Sequence, residues 1–248
     1  MKYTKADAKK YAKANMRGVW GGSLTPFTPK YAIDEEGFRH NIRYCIDGLQ
    51  LGGMYVNALQ GESLYQTIAE RKRIFKLAVE ESKGGMAILA YTSDNALENC
   101  LDMTRYAEEI GADYVGIVNP KFYLVPMTDE GVFQYFQYIA DRVNIGIFVL
   151  NQLEHGYLMS PELLSRISDL ENVVGVKNIG PAPDILRSRI LCGDKVVVSD
   201  SSESNWFMNL SVRGQEAMIA DPDPYCLQSR KLRLVKEYTD LAMKGEIA

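Results

Sequence analysis

The 248-residue chain is poor in metal-ligating and redox residues: two histidines, His40 and His155, and four cysteines, Cys45, Cys100, Cys192 and Cys226. No cysteines form a Cys-x-x-Cys pair and neither histidine adjoins a cysteine, so zinc-site spacings are absent and no metal is expected. Scattered single cysteines point to reduced thiols and a cytoplasmic setting. No apolar run is long enough to span a bilayer, so no membrane is expected. Basic charge is in deficit, with 28 Lys and Arg against 32 Asp and Glu and a net charge of −4. A nucleic-acid partner is disfavoured on that ground. No Gly-x-Gly-x-x-Gly turn follows an apolar run, which leaves a dinucleotide site of that kind unsupported. No linker rich in Pro, Gly or Ser divides the chain, so residues 1–248 are expected to form a single domain. The lysine-rich start, residues 1–17, lacks the apolar core of a secretion signal and reads as a solvated helical lead-in.

What is present is alternation. Apolar, β-rich runs lie at Gly18–Leu24, Gly53–Ala58, Met86–Tyr91, Tyr114–Val118, Ile145–Asn151, Val173–Ile179, Lys195–Asp200 and Glu216–Ala220. Helical patterns separate them, opened by Asp34, by the capping-box spacing Thr67–Glu70, by Thr128, and by Ser160 before Pro161. Gly111 and Gly193 mark helix ends, and a last helix is expected over roughly Cys226–Lys244. Eight strand–helix units, several strands apolar on both faces, indicate an α/β fold of the (β/α)8 TIM-barrel type.

One amine stands out in this pattern. Lys177 lies near the end of Val173-Val174-Gly175-Val176-Lys177-Asn178-Ile179, and strict alternation puts Val173, Gly175, Lys177 and Ile179 on one face. In a closed barrel that face is the lumen, and the C-terminal strand ends form the site-bearing rim. A desolvated amine there favours its neutral, nucleophilic form, able to attack a carbonyl. The plain alternative is a lysine that reaches solvent or a carboxylate.

Several motifs occur in an order that resembles the dihydrodipicolinate synthase / N-acetylneuraminate lyase family of class I aldolases. They are Leu24-Thr25-Pro26-Phe27, Gly61-Glu62-Ser63, Gly111-Ala112-Asp113, Asn119-Pro120-Lys121-Phe122-Tyr123, Leu158-Met159-Ser160-Pro161-Glu162 and Val174-Gly175-Val176-Lys177. The resemblance implies a lysine Schiff base at Lys177 with a 2-oxo acid such as pyruvate, no cofactor, and a homodimer or homotetramer. The apolar loop Phe122–Pro126 suits burial at a subunit interface or over the site. Three departures modify the expectation. The hydroxyl pair after strand two is replaced, the stretch reading Ala58-Leu59-Gln60-Gly61-Glu62. The family's relay tyrosine at the end of strand five is Leu150, and the loop arginine that some members use for a second carboxylate aligns with Glu154. The chain also stops about one helix after strand eight, a shortened C-terminal region.

The resulting candidates are Lys177 as nucleophile and Tyr91 and Tyr123 as replacement proton carriers, with His155 a further possibility. Gln60, Gly61, Glu62 and Ser63 are expected to bind substrate, in part through backbone N–H groups. Asp200 and Ser201 are expected to contact a substrate hydroxyl, and with Glu62, Glu154 and Asp221 nearby the rim would be acidic. The expected activity is lyase, aldolase or dehydratase chemistry on a 2-oxo acid or aldehyde. A barrel of the same family that only binds a metabolite or partner is the competing reading.

Overall fold

A computed structural model describes residues 2–120, 127–152, 157–221 and 223–246. Eight parallel strands form one sheet: β1 (Gly18–Gly22), β2 (Gly53–Val56), β3 (Ala87–Tyr91), β4 (Tyr114–Val118), β5 (Gly146–Gln152), β6 (Val173–Ile179), β7 (Val197–Ser199) and β8 (Ala217–Ile219). The order is β7-β6-β5-β4-β3-β2-β1-β8, so each strand pairs with its neighbour in sequence and β8 returns to β1. Helices α1 (Ala8–Asn15), α2 (Glu35–Arg43), α3 (Ile68–Ser82), α4 (Leu97–Glu109), α5 (Asp129–Ala140), α6 (Pro161–Ile167), α7 (Ala182–Cys192), α8 (Glu203–Ser211), α9 (Asp223–Leu227) and α10 (Leu234–Met243) accompany them. This is the (β/α)8 barrel.

The seam between β7 and β8 is bridged by side chains. Ser199 Oγ accepts the Ile219 N–H at 2.9 Å. The buried Gln215 amide donates to Asp200 O and Ala217 O and accepts the Asp200 N–H. Because that amide takes both main-chain groups of Asp200, β7 ends at Ser199 and not at the expected Asp200.

Two apolar clusters follow from the two faces of the sheet. The larger packs the outer faces against the helices, with Val173, Val176, Ile147, Val149, Phe136 and Ile167 among its members. The smaller fills the lumen, with Trp20, Tyr55, Leu89, Tyr91, Tyr114, Phe148, Leu150 and Val174. Strict alternation in β6 fails near its start: Val173 faces outward, while Val174 and Gly175 both face the lumen. The pairing jumps from Ile147↔Val173 to Phe148↔Gly175, a bulge that places two residues of β6 against one step of β5.

The lysine-rich lead-in is a plug at the lower end of the barrel and not a solvated helix. Ala8, Ala12 and Met16 are buried in the lumen cluster. Lys5, Lys9 and Lys13, four residues apart, donate to Ala140 O, Ser168 O and the Gly193 and Asp194 carbonyls. Those carbonyls lie at the C-terminal ends of α5, α6 and α7, where helix oxygens lack internal partners and the helix dipole favours positive charge. The side-chain caps of α2, α3, α5 and α6 form at Asp34, Thr67, Thr128 and Ser160. The expected last helix is broken in two, because the turn around Ser229–Leu232 lets α10 fold back on α8. There Trp206 Nε1 donates to Thr239 Oγ1 at 2.7 Å.

Candidate active site

The C-terminal half of β6 reaches the rim with Lys177 paired in register to Leu150 of β5 and Ser199 of β7. Gly175 one layer below has no room for a side chain, since a Cβ there would lie 2.1 Å from the Phe148 ring. Packed on that apolar floor, the Lys177 side chain is completely buried. Its Nζ donates to Asp221 Oδ1 at 2.9 Å and lies 5.7 Å from the centroid of the Tyr55 ring. The amine therefore points into the lumen and is held there by a carboxylate.

Asp221 follows β8, and its carbonyl accepts the Gly22 N–H at 2.9 Å, which fixes its main chain beside β1. Its Oδ1 also accepts from Gln60 Nε2 at 3.3 Å. Gln60 fits because Gly22 lacks a side chain: a Cβ on Gly22 would stand 1.7 Å from Gln60 Nε2. Tyr55, Ala58, Leu59, Gln60, Gln152 and Asp221 enclose a cavity of about 130 Å³. Of that lining, Asp221 bonds to the amine and the Tyr55 ring lies beside it. Burial, with Tyr91 and Asp221 adding to it, pushes the Tyr55 phenol well above its ordinary range.

Tyr91 lies on the far side of Tyr55, with the two rings edge to face at 5.8 Å. It lines a second rim cavity of about 270 Å³ together with Ser63, Arg71 and Asn119. The Arg71 guanidinium stacks 5.6 Å from the Tyr91 ring and donates to Tyr91 O at 2.8 Å. Ser63 Oγ, Arg71 Nε and both polar side-chain atoms of Asn119 are buried without a hydrogen-bond partner among the described residues. Burial raises the Tyr91 phenol, partly offset by Ser93 and Arg71.

The other sequence candidates separate. Gln60 lines the lysine cavity. The N–H groups of Gly61, Glu62 and Ser63 are spent on Ala58 O and Leu59 O in tight turns, so they are not free for an anion as expected. The Glu62 side chain is exposed. Asp200 is buried and bonded to Ser202 N, Asn205 Nδ2 and Asn209 Nδ2, which ties it to the start of α8. Ser201 is buried next to it. Tyr123, Glu154, His155 and the loop Phe122–Pro126 lie outside the described residues. Tyr55 was not singled out from sequence, because a tyrosine inside Met54-Tyr55-Val56 reads as one more apolar strand residue.

Residues 15–216 match the model of the dihydrodipicolinate synthetase family. The chain belongs to that family. A 4-hydroxy-tetrahydrodipicolinate synthase of Protochlamydia amoebophila is 34% identical over 163 residues, 65% of this chain and 53% of that protein. One of Clostridium perfringens is 28% identical over 193 residues, 77% of this chain and 65% of the relative. The matched region thus spans between half and two thirds of these relatives. The solved dihydrodipicolinate synthase of Thermotoga maritima superposes with a TM-score of 0.83 at 27% identity, covering 94% of this chain and 77% of the other. Leu150 is buried in the lumen and paired in register with Lys177. No helix among the described residues is long and apolar enough to cross a membrane.

Proposed function

We infer that this family member is a Schiff-base-forming lyase of the aldolase type. It acts on a 2-oxo acid such as pyruvate, or on an aldol or dehydration adduct that yields one, with Lys177 as nucleophile. The observation that carries the reading is the amine itself, directed into the lumen at the rim end of β6 next to a small polar cavity. Condensation of Nζ with a ketone gives an iminium ion. Its positive nitrogen accepts the electron pair released when an adjacent carbon–carbon bond breaks or a proton leaves. The names of the curated relatives support this chemistry. The loss of the hydroxyl pair at Leu59 and Gln60 and of the phenol at Leu150 favours a different electrophile partner from theirs.

Incubation with pyruvate and cyanoborohydride, followed by peptide mass analysis, tests the reading. A stable adduct on Lys177, absent from Lys177→Met, is the expected result. Absence of an adduct with pyruvate, other 2-oxo acids and simple aldehydes would sink it. One observation favours a second reading, a barrel that binds a metabolite without turnover: the amine is wholly buried and already bonded to Asp221. The same trapping experiment decides between the two.

A further inference from the structure

The Lys177 pair poses a chemical problem. An ammonium held by a carboxylate is not a nucleophile, and the phenol that the family pattern supplies for proton transfer is replaced by a hydrocarbon at Leu150. Both difficulties have one solution on the rim. We propose that Asp221 is the proton-transfer residue of this site, taking the proton that Lys177 must lose and returning it to the departing carbonyl oxygen. The proposal rests on the Schiff-base reading above.

Geometry supports it in three ways. Asp221 Oδ1 lies 2.9 Å from Nζ, within direct proton-transfer range, and its side chain is about one third exposed, so it meets both the buried amine and the cavity. Among the described residues its side chain is held by two bonds, to Nζ and to the Gln60 amide, while its main chain is fixed to Gly22. The carboxylate can therefore turn without disturbing β8. The groups facing it are Lys177 from β6 and Tyr55 from β2, with Tyr91 and Arg71 behind Tyr55. The Tyr55 phenol is a poor proton acceptor near neutrality, because burial holds it in its protonated form.

The substrate itself would trigger the transfer. The carboxylate of a 2-oxo acid, one bond from the carbonyl carbon, must enter close to Asp221. Two carboxylates side by side favour protonation of one of them. The proton passes from the ammonium to Asp221, leaving a neutral amine and a neutral acid. Nζ then bonds to the carbonyl carbon while one of its two protons moves to the oxygen, giving a carbinolamine. Asp221 returns its proton to that hydroxyl, the carbon–oxygen bond breaks and water leaves. The sum is Lys–NH3+ and ketone giving the protonated imine and water, with Asp221 regenerated as carboxylate. No other reactant is required.

The test follows adduct formation at Lys177 with pyruvate and cyanoborohydride from about pH 5 to about pH 9 in the whole chain. Asp221→Asn is expected to slow trapping by about 10²-fold and to change its pH dependence. Added formate should restore part of the rate, and Asp221→Glu more of it. A thermal melt and near-ultraviolet dichroism on each variant identify loss of structure, and Tyr55→Phe checks the neighbouring phenol. An Asp221→Asn variant that traps at the wild-type rate with an unchanged profile overturns the proposal. So does slow trapping that neither formate nor glutamate restores, or a loss confined to Tyr55→Phe. These failures are read in a chain whose wild type labels at Lys177; a wild type that labels with nothing overturns the Schiff-base reading itself.

Discussion

At the scale of single residues, the contacts of the site depend on one another. Gln60 occupies the volume that Gly22 leaves empty, and from there its amide meets Asp221. Alanine at position 22 places a methyl group where the amide stands. The amide is the far end of a flexible chain, so it yields at little structural cost, well below the roughly 1–3 kcal/mol of overpacking a rigid core. Gly22→Ala is accordingly expected to melt within a few degrees of wild type while slowing pyruvate trapping several-fold, because Asp221 loses its second support. Tyr91 is a contrasting case. Sequence spacing makes it a candidate proton carrier, but its ring lies behind Tyr55 and lines the other cavity. Tyr91→Phe is expected to change the trapping rate by less than about two-fold, since the roughly 10²-fold effects of acid–base groups belong to those touching the reacting atoms. A large loss in that variant, measured by the rate of adduct formation, would move the relay to Tyr91.

At the scale of elements, most helix starts were readable because a cap is a local device. Asp34, Thr67, Thr128 and Ser160 each accept an N–H three residues along the chain, and no distant contact is needed. The lead-in helix was misread for the opposite reason. Lys5, Lys9 and Lys13 look like solvated charge, yet their partners are carbonyls 135, 159, 180 and 181 positions away. A one-turn period running from the turn at Lys5 into α1 thus meets three successive helix ends around the lower rim. Lys9→Met is expected to cost about 1 kcal/mol, a charge at a partly buried helix terminus, and to lower the melting temperature by about 3 °C. Lys10→Met, exposed on the other face, should stay within about 0.5 kcal/mol of wild type. Equal effects from the two substitutions, by thermal or chemical unfolding, would remove the capping account.

At the scale of the whole molecule, the barrel depends on its last junction. β7 and β8 are three residues each, and Ser199 and Gln215 carry the hydrogen bonds that join them. Gln215→Leu would leave the Asp200 N–H and the Ala217 carbonyl buried without these partners, and the Asp200 carbonyl with only the long bond from Ser199 Oγ. That costs about 3 kcal/mol and should lower the melting temperature by about 9 °C. Because Lys177 on β6 and Asp221 after β8 face each other across this junction, trapping at Lys177 should fall in the same variant even well below its melting temperature. A melt close to wild type would show that the seam is held elsewhere.

The amino-acid sequence alone determined the repeating strand–helix plan, the caps, and the inward aim of Lys177 near the end of β6. Each of these is set by short-range periodicity and by side chains meeting their own neighbouring backbone. It could not determine which half of β6 alternates regularly, because the bulge at Val174 exists only against β5. Nor could it pair Lys177 with Asp221, 44 residues on, or seat Gln60 against Gly22 and Tyr55 over the amine. Those contacts arise when eight strands close around one lumen and bring the ends of β1, β2, β6 and β8 together, and only the tertiary structure decides them.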